Sequence, residues 1–521
     1  MKKIVFIACV LQCISIMWGC KKSLDLYPPS SISEGLFWQQ EKDALFAVNA
    51  VYRELDDDRM VITLDGATDI GYVRNGWVGW YKLSMGIQDP LDADFANVWT
   101  RYYAGIRKAN DVILNVDKIE GANPDLLKRV KAEAKFLRAY FYTNLASLYG
   151  DVPLILEPLK ITDQIAKTPK AQVIEFVVSE LDEIINSGAL PVSYSGSDIG
   201  RVTIGAALAL KARIAIRTEQ WALAASAAKA VMDLGVYDLH QNYGTLFTYA
   251  GENSKEIILS KQFTQGGLTH NALYWGPSSI GGSSDAEPIR KLFNKYEYKG
   301  PRDPANPYAN IDPRWSFSFY YPGAVISPGA QPLIYNSYPN ASNTSKDKVN
   351  SQDNTSSHGW NIRKYIDYQV DAANPNQGAI DLILIRYADV LLMYAEAKIE
   401  LNEIDASVYE ALNRVRTRPS VEMPPVTTGK SQAELRDILR NERCVELAFE
   451  GLRLYDMWRW KLGEEKNGLI QGFEYVDESS GQPKIWNIGI NRNFNPQRDY
   501  VWPIPQREID LNKSLTQTAG Y

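Results

Sequence analysis

One stretch decides the fold: PDLLKRVKAEAKFLRAYFYTNLASLYG, residues 124–150. Within it Leu126, Val130, Ala134, Leu137, Phe141, Leu145 and Leu148 recur at steps of four or three, laying one continuous apolar stripe along a helix. Pro124 stands where a missing N–H is harmless and Gly150 where a helix ends, so both boundaries are legible. On either side the same periodicity marks Glu34 to Leu55, Ala96 to Ile119, Ala171 to Asn186, Thr203 to Arg217 and Glu219 to Leu234. After residue 380 it returns at Tyr387, Val390, Leu391, Tyr394 and Ala395, then over Val408 to Thr417 and from Gln432 to about Trp460.

The paired helices over 203–234 are Ala-rich on facing surfaces, with Trp221 and Gly235 near the ends of the second. This helix-turn-helix spacing resembles tetratricopeptide units, in which small residues let paired helices approach closely. Between Tyr237 and Ile380 the character changes. Gly266-Gly267, Gly281-Gly282, Pro301, Pro304, Pro307 and Pro313 punctuate short apolar stretches that read as brief strands and turns, and residues 336–359 are Ser/Asn-rich. The expected architecture is therefore all-α, a tetratricopeptide-like scaffold with a few short strands, divided into residues 20–236, a loop-rich insertion at 237–380, and residues 381–521.

Residues 1–19 form a separate segment. Lys2 and Lys3 precede an apolar run from Ile4 to Trp18 that ends at Gly19-Cys20, too short for a membrane span and patterned as a secretory signal. The small residue before Cys20 resembles a bacterial lipoprotein signal, which makes Cys20 the expected lipidated residue. Cys9 and Cys13 leave with the signal, so the mature chain has no disulfide framework, and Cys444 reads as a small buried hydrophobe.

Composition narrows the chemistry. The 521 residues are 45% hydrophobic and 23% charged with a net charge of −6, a globular profile that excludes collagen-like and disordered classes and argues against nucleic-acid binding. Only 3 His and 4 Cys are set against 30 Tyr and 13 Trp, so histidine and thiolate chemistry is poorly supplied while flat amphipathic rings abound. His240, His270 and His358 form no zinc signature. Asp89, Asp92 and Asp94 are spaced like part of a calcium loop but lack its Gly and terminal Glu. Glu442, Glu446 and Glu450 share a helix face as a glycosidase pair would, yet Arg443, Arg453 and Arg459 lie beside them, so an ion-pair network is expected. No metal, cofactor or catalytic residue is expected.

The aromatic residues outside the helical patterns carry the functional signal. Tyr72, Trp77, Trp80 and Tyr81 sit among Gly71, Gly76 and Gly79, and a second group, Tyr274, Trp275, Tyr296 and Trp315, lies in the insertion with Trp360 beyond it. Sugar rings stack their C–H faces on aromatic planes while nearby polar groups bond their hydroxyls, so these positions are candidate ligand contacts, with core packing the alternative for each. Trp99, Trp221, Trp458, Trp460 and Trp502 fall in helical or terminal motifs and are assigned to structure.

Several segments together resemble the SusD/RagB family of outer-membrane nutrient-binding lipoproteins. They include Leu24-Asp25 with Pro28-Pro29, Trp99 to Tyr103, Ala134 to Tyr142 continuing through Tyr149-Gly150-Asp151-Val152-Pro153, and Asp312-Pro313-Arg314. Arg386-Tyr387-Ala388-Asp389, Asn441-Glu442-Arg443, Phe449-Glu450-Gly451, Trp502-Pro503-Ile504-Pro505 and the closing Gly520-Tyr521 follow in order. The resemblance implies a non-catalytic surface lipoprotein that binds glycan and sits as a lid over a SusC-like TonB-dependent transporter. Relatives serving peptide importers make peptide the alternative cargo, and a glycoside hydrolase is the enzymatic alternative.

Overall fold

The computed structural model describes residues 37–76, 79–160, 162–342, 344–351, 355–374 and 377–521. The signal segment, Cys20 and Trp77 lie outside the described residues.

Helices stack in chain order. α1 (Glu41–Tyr52) and α2 (Ala93–Asn115) pack on α3 (Pro124–Tyr149), which packs on α4 (Lys170–Ser187), followed by α5 (Ile204–Arg217) and α6 (Trp221–Asp233). The decisive stretch forms α3 with the expected ends: Pro124 occupies its first turn, Gly150 follows its last residue, and the Asn123 side chain accepts from the backbone of Asp125 and Leu126. Helices flank α3 on both sides, so burial extends beyond one stripe. Tyr140 and Tyr142 are buried too, and their hydroxyls donate to Asp56 at 2.6 Å and to the Ile155 carbonyl at 3.0 Å. Between α5 and α6, buried Ala206, Ala209, Ala212, Ala224 and Ala228 provide the small-residue contact of a repeat pair.

The stack continues across the insertion. α6 packs as closely on α7 (Tyr387–Glu400) as on α5, and α7 then carries α8 (Ala406–Arg416) and α9 (Gln432–Glu446). Strands are short and occur in two-stranded pairs: β1 (Gly71–Val73) with β3 (Ala286–Pro288), and β2 (Ile257–Lys261) with β4 (Leu382–Arg386). The β2–β4 pair closes the insertion at its base and delivers the chain directly into α7.

One expectation is corrected. Instead of a single helix from Gln432 to Trp460, the chain turns after α9 and resumes as α10 (Arg453–Arg459), with Phe449 and Gly451 at φ 58° and 73°. A Cβ on Gly451 would lie 2.1 Å from the Met60 carbonyl, so close approach of residues 60–61 requires glycine there.

The glutamate row is a network, but not with the neighbouring arginines. Glu442 pairs with Arg314 at 2.5 Å and Arg416 at 2.8 Å, and Glu446 with Arg314, Arg386 and Arg418 at 2.9, 2.7 and 2.8 Å. Glu450 pairs with Arg386 at 2.6 Å and Lys364 at 2.7 Å. Asp312 and Glu256 complete a buried set of five carboxylates and five cations. Arg443 and Arg459 belong to a second cluster with Asp389, Glu396 and Asp456, while Arg453 holds Asp69 at 2.7 Å. Burial alone would raise the Glu446 carboxyl; the guanidinium groups of Arg418, Arg386 and Arg314 outweigh it and hold the group well below the usual carboxylate range. Removing that charge leaves five buried cations facing four carboxylates, with Arg314, Arg386 and Arg418 each losing one partner. Glu446→Gln is expected to lower unfolding free energy by about 3–5 kcal/mol in urea titrations, whereas the exposed Glu434→Gln leaves stability close to that of the wild type. Equal losses in the two variants would sink this assignment.

Candidate ligand-binding site

The β1–β3 pairing joins the two aromatic segments that the sequence leaves apart. Tyr72 lies opposite Glu287 and Val73 opposite Ala286, and the bonds of Arg74 and Asn75 extend this contact, so residues 71–75 run beside residues 283–288. Glu287, fully buried, then recruits the third segment: its carboxylate accepts from Ser356 Oγ at 2.8 Å and from the backbone N–H groups of Ser357 and His358 at 2.8 and 2.9 Å. The stretch leading to Trp360 is thereby fixed to the same junction.

At the end of β1 the backbone leaves the sheet and presents polar groups. The Arg74 N–H donates to the Asp285 carbonyl at 2.9 Å, its Nη2 donates to the Ser283 carbonyl at 2.9 Å, and its guanidinium lies 3.6 Å from the Asp285 carboxylate. Asn75 Nδ2 donates to the same carboxylate at 2.5 Å, as does Ser283 Oγ. Burial pushes the Asp285 carboxyl upward, and the bonds from Ser283 and Asn75 oppose that shift. A buried acid thus orients a guanidinium and an amide that are themselves partly exposed, beside the exposed Gly76. Tyr81 is half-buried with its ring against Gly76, so ring surface borders the turn that follows Asn75, and half-buried Tyr274 is tied in through its carbonyl, which accepts from the Ser283 N–H at 2.7 Å. Such a surface suits a polyhydroxylated ligand.

The remaining candidates are corrected. Tyr72, Trp80, Trp275, Tyr296, Trp315 and Trp360 are each less than 5% exposed, so their ring faces are covered by protein. Trp360 stacks on Phe293 at 5.2 Å and meets Trp315 edge-on at 5.1 Å; Trp315 meets Tyr296 at 5.3 Å, and Tyr72 meets His358 at 5.1 Å. Three of the indole N–H groups are satisfied internally: Trp275 Nε1 donates to Asp58 at 2.9 Å, Trp360 Nε1 to the Tyr308 hydroxyl at 2.9 Å, and Trp80 Nε1 to the Arg59 carbonyl at 3.1 Å. Trp80 adopts φ 62°, held there by stacking on Trp502 at 5.2 Å and by Asp94, which accepts its backbone N–H at 2.7 Å. Trp80, Trp275, Tyr296, Trp315 and Trp360 belong to the main hydrophobic core shared with the helices, and Tyr72 packs with Ile289 and Ile470, so these rings bolt the insertion to the scaffold.

The other candidate groups have local roles. Asp94 holds Trp80, Asp92 caps α2 by accepting from the Asp94 backbone, and Asp89 pairs with Lys82 at 2.8 Å. His270 is neutral in its setting, with Nδ1 accepting from the Ala272 N–H at 3.0 Å while Nε2 donates to the Ile380 carbonyl at 2.9 Å; burial pulls it down to about 4. Among the described residues no three His, Cys, Asp or Glu side chains are grouped to hold a metal ion. Glu442, Glu446 and Glu450, the glycosidase candidates, are at most 6% exposed and fully engaged by cations.

Two aromatic surfaces escaped the sequence reading. A cleft of about 420 Å³ is lined by Phe317, Tyr320 and Tyr368 with Arg363 and Asp367, the Arg363 guanidinium lying 5.4 Å from the Tyr320 ring centre. A second surface groups half-buried Tyr338, Tyr475 and Trp486 around Phe473. Trp486 lies in a non-periodic segment, the same signal that singles out Trp77.

Comparison with known proteins agrees with this architecture. The profile of the SusD family matches residues 239–521, and a second, described as starch-binding associating with outer membrane, matches residues 24–216. SusD-like protein P2 of Formosa agariphila is 28% identical over 565 residues, spanning 100% of this chain and 99% of its own, and SusD-like protein P25 of the same organism is 25% identical over 99% and 97%. The crystal structure of a SusD-like carbohydrate binding protein from Bacteroides fragilis is 30% identical and superposes with a TM-score of 0.82, covering 92% of this chain and 100% of that one. With one profile spanning more than half of its length and the fold shared nearly end to end, this chain belongs to the SusD family.

Proposed function

We propose that this protein is a non-catalytic glycan-binding lipoprotein, anchored in the outer membrane through Cys20, that captures oligosaccharides on its loop face and delivers them to a SusC-like TonB-dependent transporter. The observation that carries the reading is the junction of residues 71–75 with 283–288, which orients Arg74 and Asn75, with half-buried Tyr81 beside Gly76 and half-buried Tyr274 tied in through its carbonyl, which accepts from the Ser283 N–H. A relative 30% identical to this chain is described as carbohydrate binding, which supports the same ligand class here. Burial and neutralisation of Glu442, Glu446 and Glu450 support binding without hydrolysis, since an acid/base pair has to reach a glycosidic oxygen. Trp77 adjoins the junction in sequence and belongs to the proposed contact set.

Titration against a panel of polysaccharides and oligosaccharides tests this reading. The Arg74→Ala/Tyr274→Ala variant is expected to weaken binding about tenfold or more while unfolding like the wild type. Trp315→Ala does the reverse, costing about 3–5 kcal/mol of stability and leaving the folded protein's affinity unchanged. Wild-type affinity in the first variant refutes the site; release of reducing sugar refutes a purely binding role; and failure of the whole panel alongside peptide capture turns the cargo to peptide.

Anchoring and partnership have their own readout. Detergent extracts of membranes are expected to yield the protein together with a TonB-dependent β-barrel, and Cys20→Ala is expected to move it to the soluble fraction. A variant that stays membrane-bound, or a wild type recovered without any barrel, contradicts the corresponding half.

A further inference from the structure

A cleft of about 70 Å³ on the opposite flank of β1 gathers cations without a matching set of acids. Lys466, Arg492, Arg290 and Lys291 line it together with Asn467 and Gln471, and no lining residue is a carboxylate. Lys466 and Arg492 are only 3% and 5% exposed. Their contacts are neutral: Lys466 Nζ donates to the Leu83 carbonyl, and Arg492 Nη1 to the carbonyls of Thr68 and Gly71 at 2.9 and 2.5 Å. Arg492 Nε and Arg290 Nη1 are buried without a hydrogen-bond partner among the described residues.

Of the four lining cations, Arg290 is held by Glu474 and Lys291 lies 3.7 Å from Glu465, which leaves Lys466 and Arg492 without a carboxylate partner among the described residues, the acids near them being engaged by other groups. Asp69 is bidentate with Arg453 at 2.8 and 2.7 Å; Asp499 holds Arg498 at 2.6 Å and Gln88 at 2.8 Å; Glu474 is shared by Arg290 and Arg302, at 2.9 Å each. Burial, with Arg492 beside it, pulls the Lys466 ammonium down to about 7, and burial pulls Arg492 down to about 10, whereas Arg314 and Arg386 in the paired network are pushed up. Two buried cations without a counter-charge are costly, and unmade guanidinium bonds add to that cost. Planar guanidinium forks and an ammonium converging on a small pocket are the donor set that recognises an oxyanion.

We propose that this cleft binds a small tetrahedral oxyanion, sulfate or phosphate, whether as the free ion or as an ester group on a saccharide. The inference stands independently of the loop face, since Arg492 reaches β1 only through backbone carbonyls.

Thermal unfolding and calorimetric titration with sodium sulfate and sodium phosphate, against sodium chloride at matched ionic strength, test it. A saturable rise in Tm at low millimolar sulfate or phosphate is expected, with chloride inert. Lys466→Met, at least as stable as wild type in chloride, weakens the apparent affinity about tenfold or more, and Arg290→Gln, at the cleft edge, does so without touching the buried lysine. Glucose 6-sulfate measured against glucose distinguishes the sources: a response matching sulfate assigns a carried ester, and a response to the inorganic ions alone assigns the free ion. The absence of a saturable response to any of these anions, or a response that both variants retain at full affinity, overturns the proposal.

Discussion

Arg386 sits where three parts of the chain meet. From the last position of β4 it donates to Glu256 at the root of β2, to Glu446 on α9 and to Glu450 in the turn that follows. Arg314 adds the short helix Arg314–Ser318 of the insertion, and Lys364 a later loop of the same insertion. Every group involved is nearly or wholly buried, so each charge depends on the others for solvation. A hydrophobic contact tolerates sliding; a balanced ionic network of this kind fixes one register. The irregular insertion is therefore held on the helical stack by directional bonds, and the loops at its far side inherit that rigidity.

This constraint explains how a loop-rich region supports a defined surface. Among its described residues the insertion has only short helices and two-stranded pairings, and rings fill its interior: Phe293, Tyr296, Trp315 and Trp360 interlock edge to face or in stacks. Glu287 and Asp285 carry the order outward, one fixing residues 356–358 and the other orienting Arg74 and Asn75. Buried acid, oriented base and half-exposed ring then follow one another from core to surface. The protein spends its aromatic residues mainly on holding the loops and presents few of them to solvent.

The helical stack was legible because its signal is local. Periodic apolar residues, Pro124 and Gly150 report on one another within a few turns, and α3 forms where they place it. Three of the network's five acids were equally local, since Glu442, Glu446 and Glu450 recur at four-residue steps, whereas Asp312 and Glu256 come from elsewhere in the chain. The basic half was not local, because Arg314 and Arg386 arrive from elements remote in sequence, and adjacency suggested Arg443, Arg453 and Arg459 instead. The same limit applies to the aromatic residues. Departure from helical periodicity identified loops, but the insertion's rings join the core of the helical stack, and their burial depends on pairings such as Tyr72 with Glu287 that no spacing rule encodes. Gly451 is a further case: its φ of 73° serves an approach to Met60 that the sequence around it does not announce.

The central claim is that the two segments joined by β1 and β3 act as one ligand-binding face held by the buried network. Hydrogen exchange with and without the tightest-binding oligosaccharide addresses it directly. The account predicts added protection in residues 71–81 and 271–288 together, with α2 to α6 unchanged. Protection of only one segment, or protection confined to the helical stack, would contradict it.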